Sequence, residues 1–585
     1  MMSFIKKNKE FSILIFNVLS VITVIISGLA TPHLEIRCGL VVLLMSCLWM
    51  FELLPLPLTA MLPLVLFPVL EISDAKIVAT QYLKDTTVLL FGGLMFAVSI
   101  EHWNVHKRIA LATLSVFGGH KGMVLMSFML IGWFLSMWIS NTATTSMLVP
   151  IAAAVANELD PKNQKKKMTK NKEKQGLNLD TSEHEQPEKK RVQYDRHSDV
   201  IVINGEVGEL AAGNLDEVTE TTIDSHDAKD SEFLKFKRGL MLGVAYSCSI
   251  GGTATITGTA PNALLLGNIE DFYGKTTGFN FGTFMMYSFP ESLICLFVAW
   301  TLLYTVQMHN FTKANSTDLE LNTQLELKVG SPEGHERSFK EVINEHYRDL
   351  GCWKPAEKIV TVAFVTLALL WIFRSPKCIP GWADLLGLSK ISDASVVMVI
   401  VFVLFASPSF SQNKSEDKTI LTWDTVQKKM SWSVLFLIGG GFAMASGVQS
   451  SGLDTVVMNA LKHLDGIPPF FLLLIIVCVV GFLTEFTSNT STASIVQPIM
   501  SSLSGALGVN PLLLMVPTTV ACSFAFCFPV ATPPNAIVFS EGTLRVRDMV
   551  KCGFLLNILC FTVATCWAFT WGNVVFSMHQ PLETS

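Results

Sequence analysis

The chain has 585 residues, of which 50% are hydrophobic and 16% are charged, and its mean hydropathy is +0.45. Many segments are apolar on all sides, as helices are when lipid or a bundle interior surrounds them, and this excludes an ordinary soluble domain. The net charge of -5 is small and spread along the chain, so nothing indicates nucleic-acid binding. The 12 cysteines lie mostly in apolar runs without metal-binding spacing.

Eleven apolar stretches are predicted to span a membrane, which takes about 20 apolar residues per helix. They fall near 11–30, 38–54, 56–71, 87–101, 238–270, 281–307, 358–373, 392–408, 432–450, 512–540 and 551–572. The first follows a basic N-terminus, and its length favours an uncleaved span over a signal peptide. Two further stretches, 122–155 and 468–500, each break at a polar cluster, and we predict re-entrant hairpins there.

The basic residues predict the orientation. Clusters at 106–108, 162–174, 235–238 and 545–551 fall on the same side as the N-terminus. Because cytoplasmic loops are rich in Lys and Arg, we predict a cytoplasmic N-terminus and an extracellular C-terminus. Segment 156–237 has mixed charge and few aromatic residues, which predicts a disordered cytoplasmic loop. Segment 308–357 is predicted to be a second cytoplasmic loop, partly helical.

An internal repeat is the most informative feature. The segment from Phe134 to Ile151 aligns without a gap to the segment from Phe482 to Ile499, and the matches are concentrated in polar residues such as Ser-Asn-Thr. Glycine pairs precede both copies, at 92–93 and within 439–441, and Pro-Asn turns follow both, at 261–262 and 534–535. On the predicted topology the two hairpins open to opposite sides, which is typical of secondary transporters with inverted repeats.

The chemistry of the repeat suits an anion together with a cation. A helix that begins at Ser-Asn-Thr offers free backbone N–H groups, and with the helix dipole these attract a carboxylate. Unwound carbonyls at 257–259 and 531–533 suit a hard cation, and Pro261, Pro533 and Pro534 account for the unwinding. No Arg or Lys lies inside the four motifs. Co-bound sodium ions are therefore the natural compensation for a dianion, whereas a lone motif of this kind would more often be a helix–helix contact.

At these residues the sequence resembles the divalent anion/sodium symporter family, solute carrier family thirteen. The resemblance covers nearly the whole chain and includes Trp-Asn-x-His-Lys-Arg at 103–108, both Ser-Asn-Thr motifs, and the run from Cys522 to Val538, which is similar to the family's signature. It implies an all-α polytopic membrane protein, an inverted-repeat secondary transporter with about 11 transmembrane helices and two re-entrant hairpins. It also implies a homodimer in which a scaffold domain carries an elevator-type transport domain.

The predicted organisation has eight parts. They are the N-terminal scaffold helices 1–101, the first hairpin region 102–155, the disordered loop 156–237, the unwound helix and following span 238–307, the cytoplasmic loop 308–357, the second-repeat scaffold helices 358–450, the second hairpin region 451–510, and the unwound helix, last span and external C-terminus 511–585.

The resemblance also implies the binding residues. Substrate carboxylates are expected at Ser140, Asn141, Thr142, Ser488, Asn489, Thr490, Thr259 and Pro534. A first sodium site is expected at Ser140, Asn141, Thr257, Gly258 and Asn262, and a second at Ser488, Asn489, Ala531, Thr532 and Asn535.

The predicted function is sodium-coupled symport of di- and tricarboxylates at the plasma membrane, with succinate-like dicarboxylates first and citrate second. A sodium-independent dicarboxylate/citrate exchanger and a sodium-sulfate symporter of the same family are the alternatives. No organic cofactor is expected, and no acid pair, metal cluster or Ser-His arrangement at membrane depth indicates an enzyme. Glu485 lies at membrane depth, where either a structural hydrogen bond or a role in coupling is consistent with the sequence.

Overall fold

The computed structural model describes residues 2–116, 121–158, 202–203, 206–207, 215–317, 332–376, 379–388, 390–410, 418–461 and 466–580. Within these ranges the regular structure is helical, apart from the short antiparallel strands Val202–Ile203 and Glu206–Val207. Five helical stretches in the described parts are long and apolar enough to cross a membrane. They are Ala75–His102, Phe281–Val306, Pro355–Ile372, Trp432–Ser450 and Val546–Phe576.

Twelve helices make up the described part of the first half. They are α1 (Met2–Leu29), α2 (Leu34–Met50), α3 (Leu56–Ala60), α4 (Pro63–Val69), α5 (Ala75–Thr80), α6 (Asp85–His102), α7 (Val105–Val116), α8 (Lys121–Ser136), α9 (Asn141–Glu158), α10 (Leu215–Gly252), α11 (Ala260–Tyr273) and α12 (Phe281–Thr317). Short 3-10 helices occupy Gln81–Leu83 and Gly274–Thr277.

The described part of the second half adds thirteen helices. They are α13 (Pro332–Asp349), α14 (Pro355–Ile372), α15 (Trp382–Leu385), α16 (Asp393–Ala406), α17 (Trp423–Lys429), α18 (Trp432–Ser450), α19 (Leu453–Leu461), α20 (Pro469–Leu483), α21 (Asn489–Leu507), α22 (Pro511–Ala521), α23 (Pro533–Ser540), α24 (Val546–Phe569) and α25 (Trp571–Phe576).

Two of the apolar stretches are broken helices. Stretch 238–270 consists of the end of α10 and all of α11, joined by the non-helical segment 253–259, and stretch 512–540 consists of α22 and α23, joined by segment 522–532. The prolines occupy the first turn of α11 and of α23, where a missing N–H breaks no intrahelical hydrogen bond. They therefore set where the second half-helix begins rather than interrupting a continuous one.

Two other parts of the chain differ from what the sequence predicted. Stretch 56–71 forms the two short helices α3 and α4 instead of one span, and Pro63 begins the second of them. Most of the predicted disordered loop 156–237 lies outside the described residues. Its last part is helical, because α10 begins at Leu215 and runs without Gly or Pro as far as Arg238.

The packing of the first repeat is reproduced in the second. Helix α10 packs against α8, α9 and α12, and its counterpart α22 packs against α20, α21 and α24. The half-helices then cross over between the repeats, since α11 packs against α21 while α23 packs against α9. The sequence repeat therefore corresponds to a repeat of structure in which each half supplies a helix to the other.

The outer faces of several helices are apolar and exposed. On α20 the residues Phe471, Ile475 and Val479 recur every fourth position and are 57%, 54% and 62% exposed. Val399 and Phe402 on α16 are exposed to a similar degree. A face of this kind is stable in lipid rather than in water.

Candidate functional site

Both Ser-Asn-Thr motifs line a single cavity of about 1290 Å³, together with the two unwound segments. Four helices begin at its wall: α9 at Asn141, α11 at Ala260, α21 at Asn489 and α23 at Pro533. The first turn of a helix carries unsatisfied N–H groups and the positive end of the helix dipole. Four such ends around one cavity create a site for an anion without any cationic side chain.

The same kind of side-chain contact occurs at both Ser-Asn-Thr tips, between α8 and α9 and between α20 and α21. The Ser136 hydroxyl donates to Asn141 Oδ1 in the first hairpin, and Thr484 Oγ1 donates to Asn489 Oδ1 at 2.9 Å in the second. Ser136 and Thr484 occupy equivalent places in the aligned repeat, five residues before the asparagine. Each hydroxyl therefore fixes the orientation of the side-chain amide of its asparagine. That asparagine is the first residue of the following helix.

The Pro-Asn turn of the first repeat ties the unwound segment together. Asn262 Nδ2 donates to the carbonyl oxygens of Gly252, Thr253 and Thr255 at 3.2, 3.3 and 2.8 Å. Thr255 Oγ1 in turn donates to the carbonyl of Met137 at 2.6 Å, which attaches the unwound segment to the hairpin. The segment is thus held by side chains where helical hydrogen bonds are missing.

The second repeat uses the same device. Asn535 Nδ2 donates to the carbonyls of Ala525 and Phe528, both at 3.0 Å. These acceptors stand ten and seven residues before the asparagine, as Gly252 and Thr255 do before Asn262. Asn262 and Asn535 are both fully buried.

In both Pro-Asn turns, equivalent side-chain oxygen atoms accept no hydrogen bond. Asn262 Oδ1 and Asn535 Oδ1 are buried and have no hydrogen-bond partner, and the same holds for the hydroxyls of Thr259 and Thr532. Buried oxygens without donors are costly unless something else satisfies them. A hard cation such as Na⁺, which takes only oxygen ligands, fits this set in each repeat, and as cargo it would leave with the substrate.

The charged side chains among the described cavity-lining residues are acidic, Glu52 and Glu485. Glu485 is buried, and its oxygens accept the backbone N–H groups of 526, 527 and 528 at 2.8–3.3 Å and Asn557 Nδ2 at 2.6 Å. The carboxylate therefore holds the second unwound segment in place. It also adds negative charge beside the cavity, which strengthens the need for a co-bound cation.

A family model described as "Sodium:sulfate symporter transmembrane region" matches residues 6–578. The chain belongs to this family.

Curated relatives match along almost their entire length. The chain is 36% identical to the human Na(+)/dicarboxylate cotransporter 3, over 97% of this chain and 92% of the relative. It is 37% identical to human solute carrier family 13 member 2, over 94% and 90%. It is 34% identical to the rat Na(+)/citrate cotransporter, over 99% and 97%. The predicted membership of solute carrier family thirteen is thereby confirmed.

Most of the predicted site residues of this family member line the cavity. They are Ser140, Asn141, Thr142, Gly258, Thr259, Ser488, Asn489, Thr490, Ala531, Thr532 and Pro534. The other three do not line it. Asn262 and Asn535 are buried in the turns behind the cavity wall. Thr257 packs closely against Gly93 of α6, since a Cβ atom at that glycine would lie 3.2 Å from Thr257 Cγ2.

The residues that hold the two Ser-Asn-Thr tips in place were not among the predicted site residues. Ser136 and Thr484 align in the repeat, and that match was the available signal for their shared role. Gly252 also stands out, because a Cβ there would lie 2.7 Å from both Asn141 Oδ1 and Thr259 Cγ2. The tip of the first hairpin therefore rests directly on the glycine at the end of α10.

Proposed function

We propose that this protein is a sodium-coupled symporter of di- and tricarboxylates, with succinate-like dicarboxylates as the first substrate class and citrate as the second. The observation that carries the proposal is the cavity with four helix N-termini, no lysine or arginine among the described residues that line it, and two matched sets of buried oxygens that accept no hydrogen bond. Relatives named as sodium/dicarboxylate and sodium/citrate cotransporters support the same substrate class.

The substrate carboxylates would be bound by the N-terminal ends of α9 and α21, at Ser140, Asn141, Thr142, Ser488, Asn489 and Thr490, with Thr259 and Pro534 beside them. Backbone N–H groups and neutral hydroxyl and amide donors suit a dianion that must later be released. Binding by fixed lysines would be harder to reverse.

Each sodium ion would lie between a Ser-Asn-Thr tip and its Pro-Asn turn. The first site combines Ser140, Asn141, Thr257, Gly258 and Asn262, and the second combines Ser488, Asn489, Ala531, Thr532 and Asn535. Support comes from the free Oδ1 atoms of both turn asparagines and from the hydroxyls that orient both tip asparagines. Sodium at both sites would offset the charge of the substrate, so uptake would follow the sodium gradient.

We also propose an architecture of 11 spans and two re-entrant hairpins, and a homodimer in the plasma membrane. In the proposed mechanism the transport domain moves like an elevator against the scaffold. The crossed packing of the two repeats supports inverted topology. The cavity reaches Phe51, Glu52, Ser540 and Val546, which stand on the side assigned to the cytoplasm. On that assignment this conformation is open to the inside.

Uptake of labelled succinate into proteoliposomes, with and without an inward sodium gradient, tests the function. We expect saturable, sodium-dependent uptake that citrate competes for and sulfate does not. Sodium-independent exchange would establish the exchanger instead, strong competition by sulfate would establish the sulfate branch, and absence of all transport would overturn the proposal.

The site is tested by Asn141→Ala and Asn489→Ala. Each should abolish uptake while surface expression stays normal. Each substitution removes a proposed cation ligand and also the hydrogen bond that Ser136 or Thr484 donates to the asparagine side chain. Asn459→Ala on the exposed face of α19 is the matched control and should leave uptake unchanged. Normal uptake in both site variants would refute the residue assignment without refuting transport.

A further inference from the structure

A second buried polar cluster lies on α12, outside the substrate cavity. Both carboxyl oxygens of Glu291 are buried and have no hydrogen-bond partner, and the same is true of the hydroxyls of Tyr287 and Ser288. Glu291 is 1% exposed. The spacing of three and four residues puts all three side chains on one face of the helix.

The inward face of α12 contrasts with its outer face. Met286 and Phe297 on the outer side are 36% and 46% exposed, in keeping with a lipid-facing surface. The inner face packs against α8, α10, α14, α24 and α25. Glu291 lies ten residues, or about 15 Å, from Phe281 at the start of the helix, so it stands deep in the span.

Three polar groups on or against α12, the indoles of Trp133 and Trp567 and the hydroxyl of Ser292, donate to other acceptors. Trp133 Nε1 donates to Ser292 Oγ at 3.1 Å, and the Ser292 hydroxyl donates to the carbonyl of Phe289 at 2.8 Å. Trp567 Nε1 donates to the carbonyl of Tyr287 at 2.9 Å. In this arrangement an ionised Glu291 would accept no hydrogen bond in a buried interior, so the charged form would be strongly disfavoured.

The titratable groups that flank Glu291 are tyrosine and cysteine side chains, which carry no positive charge in any state. Tyr287 and Cys295 flank it on α12, and Cys560 of α24 contacts Cys295. The neighbouring helices carry their charged residues near the ends assigned to the cytoplasm, well away from the middle of the span. They are Lys121 on α8, Lys235, Lys237, Arg238 and the charged residues before them on α10, Glu357 and Lys358 on α14, and Arg547, Asp548 and Lys551 on α24. The partner that neutralises Glu291 must then be a small cation.

We propose that Glu291 is a proton-binding site inside the helix bundle and that the carrier works with this carboxyl protonated. A sodium ion would need five or six oxygen ligands. Glu291, Tyr287 and Ser288 offer four oxygens, and the carbonyls of Met286 and Tyr287 already accept the indole N–H groups of Trp571 and Trp567. A proton needs a single oxygen and turns the carboxylate into a neutral group that this interior accommodates.

Infrared spectroscopy of the full chain in lipid nanodiscs tests the site independently of transport. At pH 7 the wild-type protein should show the carbonyl stretch of a protonated carboxylic acid, above the amide I band, with a downward shift in D₂O. Glu291→Gln should lose this band. Glu485→Gln is the matched control, since Glu485 is also buried but its oxygens accept N–H donors as a carboxylate, and this variant should keep the band.

Three results would overturn the proposal. The first is a spectrum of Glu291→Gln that equals the wild type at pH 7. The second is a band that appears only when sodium is replaced by a large organic cation, because Glu291 would then bind sodium. The third is loss of uptake in a Glu291→Gln protein that remains monodisperse, because the amide resembles the protonated acid. Should that variant fail to fold, Glu291→Asp retains the acid and should shift the band rather than remove it.

Discussion

At the scale of single residues, the two turn asparagines do two things at once. Their amide nitrogens bind the carbonyls that the broken helices leave unpaired, and their amide oxygens stay free. The same division occurs in both repeats, at Asn262 and Asn535. An aspartate could not do this, because a carboxylate has no N–H to donate. The proposed sodium sites therefore depend on an amide at these two positions.

The hydroxyls behind the hairpin tips give a first prediction. Thr484→Val keeps the shape of the side chain but removes the hydrogen bonds to Asn489 Oδ1 and to the carbonyl of Cys522. A buried hydrogen bond of this kind contributes about 1 kcal/mol, so we expect the sodium concentration for half-maximal uptake to rise about fivefold. Ser136→Ala should act in the same way on the first hairpin.

The control for this experiment is Thr562→Val, an exposed threonine on α24 whose hydroxyl donates within its own helix. It should leave the sodium dependence unchanged. Equal sodium dependence in the Thr484 and Thr562 variants would mean that orientation of the tip asparagine does not matter for sodium binding.

The two repeats differ at one residue that sequence alone could not interpret. Glu485 aligns with Met137, so the repeat offered no guide to its role. The structure favours a structural one, because the carboxylate accepts three consecutive backbone N–H groups of segment 522–532. Such a contact joins residues about 40 positions apart in the chain, and no local pattern specifies it.

At the scale of helices, the sequence predicted where two helices are interrupted, but it did not predict the tertiary contacts that hold the interrupted segments in place. Gly258, Pro261 and the prolines at 533–534 indicated where each non-helical segment gives way to the second half-helix, since these residues restrict or free the backbone locally. The start of α10 at Leu215 was missed, because mixed charge with few aromatic residues is typical of a polar helix as well as of a disordered loop. The crossing of α11 onto α21 and of α23 onto α9 depends on tertiary packing.

The contact between α10 and the first hairpin gives a second prediction. Gly252→Ala places a methyl group 2.7 Å from Asn141 Oδ1 and from Thr259 Cγ2, so the hairpin tip must move. Overpacking of this kind costs about 1–3 kcal/mol, and we expect sodium-dependent uptake to fall at least about fivefold with normal surface expression. Gly39→Ala on α2 is the matched control, because the nearest atom to its methyl group lies 3.9 Å away. Uptake that falls equally in both variants would point to a general helix effect instead.

At the scale of the whole molecule, the two repeats line one cavity together, and the proposed motion must keep the proposed binding site in that cavity intact. Helices α9, α11, α21 and α23 all meet the cavity and pack in pairs across the repeats, α9 on α23 and α11 on α21, which suits movement of the cavity wall as one body. Contacts between this body and the scaffold helices must then change during transport. Such contacts should reveal which state the protein occupies.

Lys84 and Asp271 form a contact of this kind. Lys84 precedes α6 in the predicted scaffold, Asp271 lies in the last turn of α11, and their side chains form an ion pair that stands over the ring of Phe442. The pair is partly exposed and contributes up to about 1 kcal/mol. If α11 moves against α6, the pair stabilises only the conformation described here, in which the cavity reaches Ser540.

Asp271→Lys should therefore disfavour this conformation, and exchange of the two charges, Lys84→Asp with Asp271→Lys, should restore it. The measurement is the rate at which a maleimide labels Ser540→Cys from the cytoplasmic side, in a background whose exposed native cysteines are serine. We expect labelling about fivefold slower in the single variant and near the original rate in the exchanged pair. Asp424→Lys, which breaks an exposed ion pair within α17, is the control and should not change the rate. Equal labelling in all variants would mean that α6 and α11 do not separate, which contradicts an elevator motion between them.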